Sequence, residues 1–351
     1  MYFVPKLLES LLRPICYNSV IMKNIVTIGG GTGSYTVLSG IKNIPGISIS
    51  AIVAMTDDGG STGVLRDELG VLPPGDVRQC LVALSEQSEI VRKLMTYRFS
   101  TGGLKGHNFG NIFLAGLEKV TGSFVDGVEI ASDILKVKGK VIPVTDRVAT
   151  LNATLADGTV LNGENEINHH DVDVNTIKKL KTSTSARINP HAKKAILEAN
   201  FIFIGPGNHY CSIIPNLIVP GVSVALKQTK AKIIYIVNLT NKKGHTLGWQ
   251  TGDYLKNLEK YMGRKCDFIL INNQKPNKEQ LQVYEKQEGG SVMVKNDLIK
   301  DRRVIEVPLI SKKIVRFDKS DIIAKTRSLI RHDSALIQKT LAKIIHHEIN
   351  F

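Results

Sequence analysis

Residues 24 to 33 read Asn24-Ile-Val-Thr-Ile-Gly-Gly-Gly-Thr-Gly33, an apolar run that passes directly into a glycine-rich turn. The pattern predicts a buried strand, a tight turn and a helix over residues 34–42. Glycines at such a turn let the backbone approach a diphosphate, and the first amides of the helix point at the anion. Candidate ligand-binding residues are therefore Gly30, Gly31, Thr32 and Gly33. The alternative is a turn that serves only the packing of the helix on the sheet.

Downstream of this turn, short apolar runs alternate with segments of helical periodicity, which is typical of βαβ units around a parallel sheet. Strands are predicted at residues 24–28, 47–54, 201–204, 233–237, 268–271 and 304–307. Helices are predicted at residues 34–42, 77–86, 109–120, 190–199, 253–261 and 334–347, the fourth entered through Asn189 as N-cap and Pro190. The fold class is α/β with a mostly parallel sheet.

The stretch from about Gly139 to Arg187 has a different pattern. Residues 151–155 alternate apolar and polar side chains, Asp157-Gly158 supplies a turn, and residues 159–161 follow, which predicts an antiparallel hairpin. We therefore expect five parts: a leader (1–21), a nucleotide-binding α/β part (22–138), a strand-rich insertion (139–188), the second α/β part (189–330) and a C-terminal helix (331–351).

The leader does not read as a signal peptide, because Glu9 and Arg13 interrupt its apolar part and no small-residue cleavage site follows. A second methionine, Met22, opens the first clear strand. We expect the native chain to start at Met22 and the leader to be dispensable.

The composition is that of a globular protein. Of 351 residues, 42% are hydrophobic and 22% are charged, which excludes disordered, collagen-like and coiled-coil chains. The four cysteines are far apart, which fits neither a disulfide framework nor a zinc site, and no apolar run is long enough to span a bilayer. These features predict a cytoplasmic protein without membrane insertion.

The formal net charge of +14 is unevenly distributed. Residues 1–225 hold 21 Lys and Arg against 19 Asp and Glu, whereas residues 226–351 hold 25 against 13. Such a basic region meets nucleic acid, an anionic surface or a polyphosphate, or is only a solvated face. Aromatic residues are 6% of the chain and form no stacking stripe with the lysines, so nucleic acid is not favoured as a partner.

A second strand end carries Met55-Thr-Asp-Asp-Gly-Gly-Ser-Thr-Gly63. In an open α/β sheet this segment lies beside the first glycine turn, at the edge where ligands bind. The paired carboxylates of Asp57 and Asp58 can hold ribose hydroxyls, Mg²⁺ or a proton, and Gly59 adds backbone surface. A simple Asp-Gly turn is the alternative.

Two further loops offer polar side chains. Pro73-Pro-Gly-Asp-Val-Arg78 enters a helix for which we predict Asp76 as N-cap, and Arg78 in the first turn opposes the helix dipole, which hints at an anionic ligand. Gly106-His-Asn-Phe-Gly-Asn111 opens another helix, with His107, Asn108 and Asn111 as candidates to orient a base or sugar. An ordinary exposed arginine and a structural histidine are the alternatives.

The first strand–turn pattern recurs at Phe201-Ile-Phe-Ile-Gly-Pro-Gly-Asn-His-Tyr210, followed by an expected helix at residues 211–217. Two glycine turns in one sheet suggest two sides of one nucleotide cleft, with Gly205, Gly207 and Asn208 as candidates. The strand ending at Val237 adds Asn238 and, a few residues later, Lys242 and Lys243.

Several known sites are missing from the sequence. There is no G-x-x-x-x-G-K-[ST] or H-E-x-x-H motif, and Thr36 stands where the dinucleotide fingerprint needs glycine or alanine, so NAD is not favoured. No complete nucleophile–base set is recognisable, which favours binding without turnover.

In this order, five motifs resemble the gluconeogenesis-factor (YvcK-like) family of the CofD-like superfamily, over about residues 23–315. They are Ile28-Gly-Gly-Gly-Thr-Gly33, Asp57-Asp-Gly-Gly-Ser-Thr-Gly63, Pro73-Pro-Gly-Asp-Val-Arg78, Gly106-His-Asn-Phe-Gly-Asn111 and Gly205-Pro-Gly-Asn-His-Tyr-Cys-Ser-Ile-Ile-Pro-Asn216. The resemblance implies a Rossmann-like three-layer α/β/α fold that binds a nucleotide sugar such as UDP-N-acetylglucosamine. It also implies a regulatory role in cell shape and wall synthesis during gluconeogenic growth.

The sister branch implies an alternative, a Mg²⁺-dependent 2-phospholactate-transferase-like enzyme with Asp57 and Asp58 as metal ligands. The motif at residues 73–78 favours the regulatory branch, and a homo-oligomer stays an open alternative. This chain also departs from the family pattern. It has Asn208, His209 and Cys211 in the second glycine turn, and Asn241-Lys-Lys-Gly-His-Thr246 where the family tends to read Thr-Gln-Pro-Gly-Glu-Thr.

Overall fold

The computed structural model describes residues 22–170, 177–183, 185–313 and 328–346. A seven-stranded sheet runs through them in the order β3-β2-β1-β7-β8-β9-β10, and every neighbouring pair is parallel. A second sheet of three antiparallel strands has the order β5-β4-β6. The α/β class, the mostly parallel sheet and the antiparallel extra sheet are confirmed.

The strands are β1 Lys23–Gly29, β2 Ile47–Val53, β3 Lys140–Pro143, β4 Leu151–Leu155, β5 Val160–Asn162, β6 Ile177–Thr182, β7 Phe201–Ile204, β8 Lys232–Ile236, β9 Phe268–Asn272 and β10 Val304–Val307. The helices are α1 Gly31–Ile41, α2 Gly60–Leu69, α3 Gly75–Leu84, α4 Glu89–Thr96, α5 Phe109–Thr121, α6 Phe124–Ile134, α7 Glu164–His169, α8 Pro190–Glu198, α9 Ile214–Leu217, α10 Val222–Gln228, α11 Thr251–Met262, α12 Lys278–Glu288 and α13 Ser334–Ile345. A π-helical turn, His209–Ile213, precedes α9.

The central strands are apolar on both faces because helices cover both sides of the sheet. All four residues of β7 are buried, and so are the last five of β1. This is the pattern expected of parallel strands, which are joined by crossover helices. The core therefore lies on both faces of one continuous sheet.

The strand-rich segment is divided between the two sheets. The hairpin predicted around Asp157-Gly158 is confirmed, since β4 pairs with β5 in antiparallel register and Gly158 has a φ of +93°. β3, which the sequence pattern groups with this segment, instead pairs with β2 in the main sheet. Local periodicity does not distinguish the two outcomes, because strand partners are chosen by long-range packing.

Two local predictions need correction and one holds. The helix α3 begins at Gly75 with Pro74 as N-cap, so the assignment of Asp76 as N-cap is wrong. Residues 209–213 form a π-helical turn and only 214–217 are α-helical, in place of one helix from residue 211. The start of α8 is as predicted, because Asn189 Oδ1 accepts a hydrogen bond of 2.8 Å from the His191 amide.

Within the described residues, no single helix is long and apolar enough to cross a membrane. One bent pair, His209–Leu217 with Val222–Gln228, reaches that threshold by length and composition alone. The leader, residues 1–21, lies outside the described residues.

Candidate functional site

The strand order reverses between β1 and β7, because the chain leaves β1 toward β2 on one side and leaves β7 toward β8 on the other. In open parallel sheets, ligands bind in the crevice at the carboxyl ends of the strands where the order reverses. A cavity of about 240 Å³, which we call the first cavity, opens at this point and is lined by both glycine turns.

The two glycine turns touch each other. A Cβ on Gly33 would lie 1.9 Å from the carbonyl oxygen of Pro206, so the turns approach as closely as they do only because residue 33 has no side chain. Asn238 fixes the second turn, since its Oδ1 accepts from the Gly207 amide (3.3 Å) and its Nδ2 donates to the Gly207 carbonyl (2.8 Å). Gly33 and Asn238 thus have structural roles in addition to lining the cavity.

The amino end of α1 is occupied by a carboxylate of the protein itself. Asp76 accepts a hydrogen bond from the Gly31 amide, and a Cβ on Gly30 would lie 2.0 Å from its Oδ2. Burial, and then the nearby charge of Asp57, raise the pKa of Asp76 to about 7. The helix end that we expected to meet a diphosphate therefore carries an acid that is close to half protonated at neutral pH.

Asp76 belongs to a group of acids that we call the acidic cluster: Asp57, Asp58, Asp76 and Glu164. Burial raises the pKa of Asp57, while the Gly59 amide, 3.0 Å from its Oδ1, opposes that change. Burial and the charges of Asp57 and Asp76 raise the pKa of Glu164 well above its ordinary value. None of the four forms an ion pair with Lys or Arg in the part of the chain that the structure describes.

Carboxylate oxygens are the ligands that Mg²⁺ prefers, so the donor chemistry of the acidic cluster fits this ion. Two of the carboxylates are partly used within the protein, since Asp58 Oδ1 accepts from the Asn165 amide (2.6 Å) and Glu164 Oε2 from Thr56 Oγ1 (2.9 Å). Among the described residues, no three acids or other metal-ligating side chains are already arranged around one ion position. The cluster could meet Mg²⁺ through water or together with a ligand's diphosphate.

A second cavity of about 380 Å³ lies over the acidic cluster and has basic side chains, Arg78, Arg98 and Lys105, on its other walls. His107 also lines it, with Nδ1 3.4 Å from Ser61 Oγ. The resulting surface has acids and bases side by side. It can accept a polar group that carries both anionic and hydroxyl substituents.

Arg78 and the two asparagines hold this wall together. Arg78 is 7% exposed, and its Nε donates to Asn111 Oδ1 (2.8 Å) and its Nη1 to the Met95 carbonyl (3.3 Å). Asn108 caps α5 by accepting from the Asn111 amide (3.3 Å). These hydrogen bonds give Arg78 a structural role in addition to its place in the wall of the second cavity.

The short helix α7, which connects β5 to β6 of the three-stranded sheet, lies between the two cavities. Asn168 Oδ1 accepts from Asn208 Nδ2 (2.9 Å), and the Asn168 carbonyl accepts from Lys242 Nζ (3.1 Å). His245 Nε2 lies 2.8 Å from the Ile167 carbonyl, and burial lowers the pKa of this histidine to about 3. These contacts fix α7 on the loops that follow β7 and β8.

The first cavity is closed by a segment near the C-terminus. Residues 309–311 and 331–333 pair through hydrogen bonds from Ser311 N to the Arg331 carbonyl (2.9 Å) and from Asp333 N to the Leu309 carbonyl (2.8 Å). This pairing brings Ser328, Ile330, Arg331 and His332 into the wall, beside Tyr284. α13 then packs on α1, where a Cβ on Gly40 would meet the Ser334 carbonyl at 2.5 Å.

Two histidines of the first cavity each have a buried ring nitrogen without a partner in the described structure, His209 Nδ1 and His332 Nε2. Burial lowers the pKa of both to about 4, so both are neutral at pH 7. Neutral imidazoles offer hydrogen bonds without charge, which suits a base or a sugar better than a phosphate.

The predicted site residues fall into three groups. The first cavity is lined by Gly30, Thr32, Gly33, Gly207, Asn208 and Asn238. The second is lined by Asp57, Gly59, Arg78, His107 and Asn111. The lining of neither cavity includes Gly31, Asp58, Asn108 or Gly205.

Sequence reasoning missed Asp76, Glu164, Asn168, His245, Arg331 and His332 as members of the site. Asp76 was interpretable only as a cap, and Glu164 and Asn168 lie in a segment whose local pattern predicts nothing more than a hairpin and its connection. The one sequence signal near these residues was the pair Lys242 and Lys243, which follows β8.

Comparison with known proteins agrees with this architecture. The family model described as 2-phospho-L-lactate transferase CofD matches residues 25–315. The gluconeogenesis factor of Bacillus subtilis is 35% identical over 325 residues, which cover 92% of this chain and 98% of that protein. The chain belongs to the gluconeogenesis-factor family of CofD-like proteins.

Other members of the gluconeogenesis-factor family show similar coverage. A Thermotoga maritima relative is 40% identical over 320 residues, covering 91% of this chain and 98% of its own length. A crystal structure of a Bacillus halodurans protein superposes with a TM-score of 0.82 at 35% identity, covering 91% of this chain and 99% of that one. The segment at residues 328–333, which closes the first cavity, lies beyond the end of the CofD family match at residue 315.

Proposed function

We propose that this gluconeogenesis-factor family member is a cytoplasmic regulator that binds a UDP-sugar such as UDP-N-acetylglucosamine and acts in cell shape and wall synthesis during gluconeogenic growth. The observation that carries the proposal is the first cavity, which lies where the strand order reverses and is lined by both glycine turns. The regulatory part rests on the family resemblance.

The two cavities differ in the way that the two halves of a nucleotide sugar differ. The first has neutral hydrogen-bonding side chains, His209 and His332, which suit a base. The second has both acids and bases, which suit a sugar and its phosphate. Asn168 of the second cavity is hydrogen-bonded to Asn208 of the first, so the cavities are adjacent, and we infer that one extended ligand spans them.

Calorimetry with UDP-N-acetylglucosamine, UDP-glucose, GDP and NAD tests the proposal. We expect at least one UDP-sugar to bind more tightly than GDP and NAD. No binding of either UDP-sugar at millimolar concentration would overturn it.

The variant Gly207→Ala tests whether the UDP-sugar binds in the first cavity. A Cβ at residue 207 meets only ordinary contacts, the nearest being Ser212 Cβ at 3.5 Å, so the fold should tolerate the substitution. The added methyl group would, however, keep a ligand from approaching the backbone of the turn. Gly116→Ala, on the exposed side of α5 with nothing within 4 Å, is the matched control. We expect only Gly207→Ala to weaken UDP-sugar binding, by about tenfold or more, and to fail in complementing a deletion strain on gluconeogenic carbon.

The second candidate is a Mg²⁺-dependent transferase acting on a nucleotide diphosphate conjugate, favoured by the CofD family match and by the acidic cluster. Asp57 and Asp58 would hold the ion, through water or together with the diphosphate, and the ion when bound would neutralise charge on the diphosphate. Release of free nucleotide from such a conjugate, lost in both Asp57→Asn and Asp58→Asn, would support it. Intact conjugate after incubation with Mg²⁺ would contradict it.

A further inference from the structure

Lys242 follows β8 and lines the first cavity. Its Nζ donates to the carbonyl oxygen of Asn168 (3.1 Å) and, in a short contact, to Asn168 Oδ1. Both acceptors are neutral. The ammonium is therefore held in place by an amide residue of α7.

Lys242 is a cation without a counter-ion. In the part of the chain that the structure describes, it forms no ion pair with a carboxylate: the charges of Glu288 and Glu164 act on it from a distance, and Glu288 Oε2 is bound to the Lys243 amide at 2.7 Å. Burial lowers the pKa of Lys242. A charge removed from water is costly unless it is paired, so the site favours an anion from outside the chain.

The position of the ammonium identifies which part of a ligand it would meet. Asn168, to which Lys242 donates, also lines the second cavity, and it accepts a hydrogen bond from Asn208 of the second glycine turn. Lys242 Nζ thus lies at the junction of the two cavities. In a nucleotide sugar, the group between base and sugar is the diphosphate.

We propose that Lys242 is a ligand-binding residue that binds the diphosphate of the ligand at the junction of the two cavities. This inference rests on the proposed function for the identity of the ligand. It explains how a site that contains the acidic cluster can accept a doubly negative group, since the cation compensates part of the negative charge beside it. Its neighbour His245 is kept neutral by burial and adds no second positive charge to the loop.

The test compares Lys242→Gln with Lys243→Gln, which makes the same charge change one residue away at a position that does not line the first cavity. Affinities for UDP, UDP-N-acetylglucosamine and UDP-glucuronate are measured by calorimetry at low and high salt. We expect Lys242→Gln to weaken all three by a similar factor of about tenfold to a hundredfold, to reduce the salt dependence, and to leave the melting temperature no lower. Lys243→Gln should change them by less than about threefold.

Equal losses in both variants, or no loss in Lys242→Gln, would overturn the inference while leaving UDP-sugar binding intact. A loss confined to UDP-glucuronate would overturn it too, because Lys242 would then bind the sugar's carboxylate. If the unmodified protein binds no UDP compound, the proposed function fails. In that case, binding of inorganic pyrophosphate tests Lys242. Pyrophosphate binding that is lost in Lys242→Gln but kept in Lys243→Gln supports a diphosphate site. No pyrophosphate binding by the unmodified protein contradicts one.

Discussion

Asp76 and Gly30 are in direct contact, at a distance that leaves no room for a side chain: a Cβ on residue 30 would lie 2.0 Å from Asp76 Oδ2. The contact places a carboxyl group, rather than water, at the amino end of α1. Any anion that binds there must coexist with or displace this group. The protonation state of Asp76 therefore affects both stability and ligand binding.

Asp76→Asn should make stability less dependent on pH. Because the pKa of Asp76 rises from 3.8 to about 7 on folding, the folded state holds the proton more tightly, so stability is greatest below about pH 4 and is lost as the pH rises to about 7. The loss from this group is at most about 1.4 kcal/mol per pH unit. Urea unfolding of both proteins between pH 4 and pH 8 measures this loss. If the free energy of unfolding depends on pH in the same way in the two proteins, the assignment is contradicted. Asp57 and Glu164 give the same sign in both proteins, and the Glu164 contribution falls in the variant because the charge of Asp76 no longer raises its pKa.

The same group should make UDP-sugar binding, if present, pH-dependent. A protonated Asp76 repels a diphosphate less than an ionised one, so affinity measured without metal should rise as the pH falls from about 8 to 6. The change is limited to about tenfold per pH unit. Calorimetry at three pH values checks it, with Asp76→Asn as the comparison. A profile that is equally steep in the variant would assign the dependence to another group.

Gly33→Ala should destabilise the fold, in contrast to Gly207→Ala. Its Cβ would overlap the backbone carbonyl of Pro206 at 1.9 Å, so one of the two glycine turns must move. We expect a loss of about 2–4 kcal/mol in the free energy of unfolding. Chemical denaturation measures it, with Gly116→Ala as a control that should be neutral or slightly stabilising. A Gly33→Ala protein as stable as the unmodified one would show that the turns separate easily.

His332→Leu should remove part of the acid sensitivity of the protein. The pKa of His332 falls from 6.5 to about 4 on folding because of burial, so its contribution to stability is lost as the pH falls from about 6.5 to 4. This sign is opposite to that of Asp76. Unfolding curves at pH 4.5 and pH 7 should differ less in the variant, whereas an unchanged difference would contradict the neutral, buried state of this histidine.

Asn168→Ala should loosen α7 without unfolding the sheet. The side chain accepts hydrogen bonds from Asn208 and Lys242, and both are lost in the variant. Hydrogen exchange should become faster in residues 164–169 and stay unchanged in β1 and β7. Asn152→Ala, which removes the exposed contact from Asn152 Nδ2 to Asn162 Oδ1 (2.6 Å) between β4 and β5, is the control. Equal exchange in α7 for both variants would show that Asn168 is not its anchor.

The sequence by itself determined the elements that depend on neighbouring residues. The strands around the glycine turns, the hairpin at Asp157-Gly158 and the entry into α8 at Asn189 follow from apolar runs, turn residues and caps within about ten positions. Repeated strand–turn patterns also indicated that the two glycine turns share one edge of the sheet. For these features, local propensity and tertiary structure agree.

Only the tertiary structure decided which polar groups meet. Asp76 lies against Gly30 in a helix, α3, that begins two residues earlier than its capping pattern suggests, and Lys242 reaches Asn168 across 74 positions of chain. His332 enters the first cavity because residues 331–333 pair with residues 309–311. Such contacts are set by how whole elements pack, and no local pattern specifies them. The physical reason is that burial and charge depend on three-dimensional neighbours, whereas helix, strand and turn preferences depend mainly on the residues next in sequence.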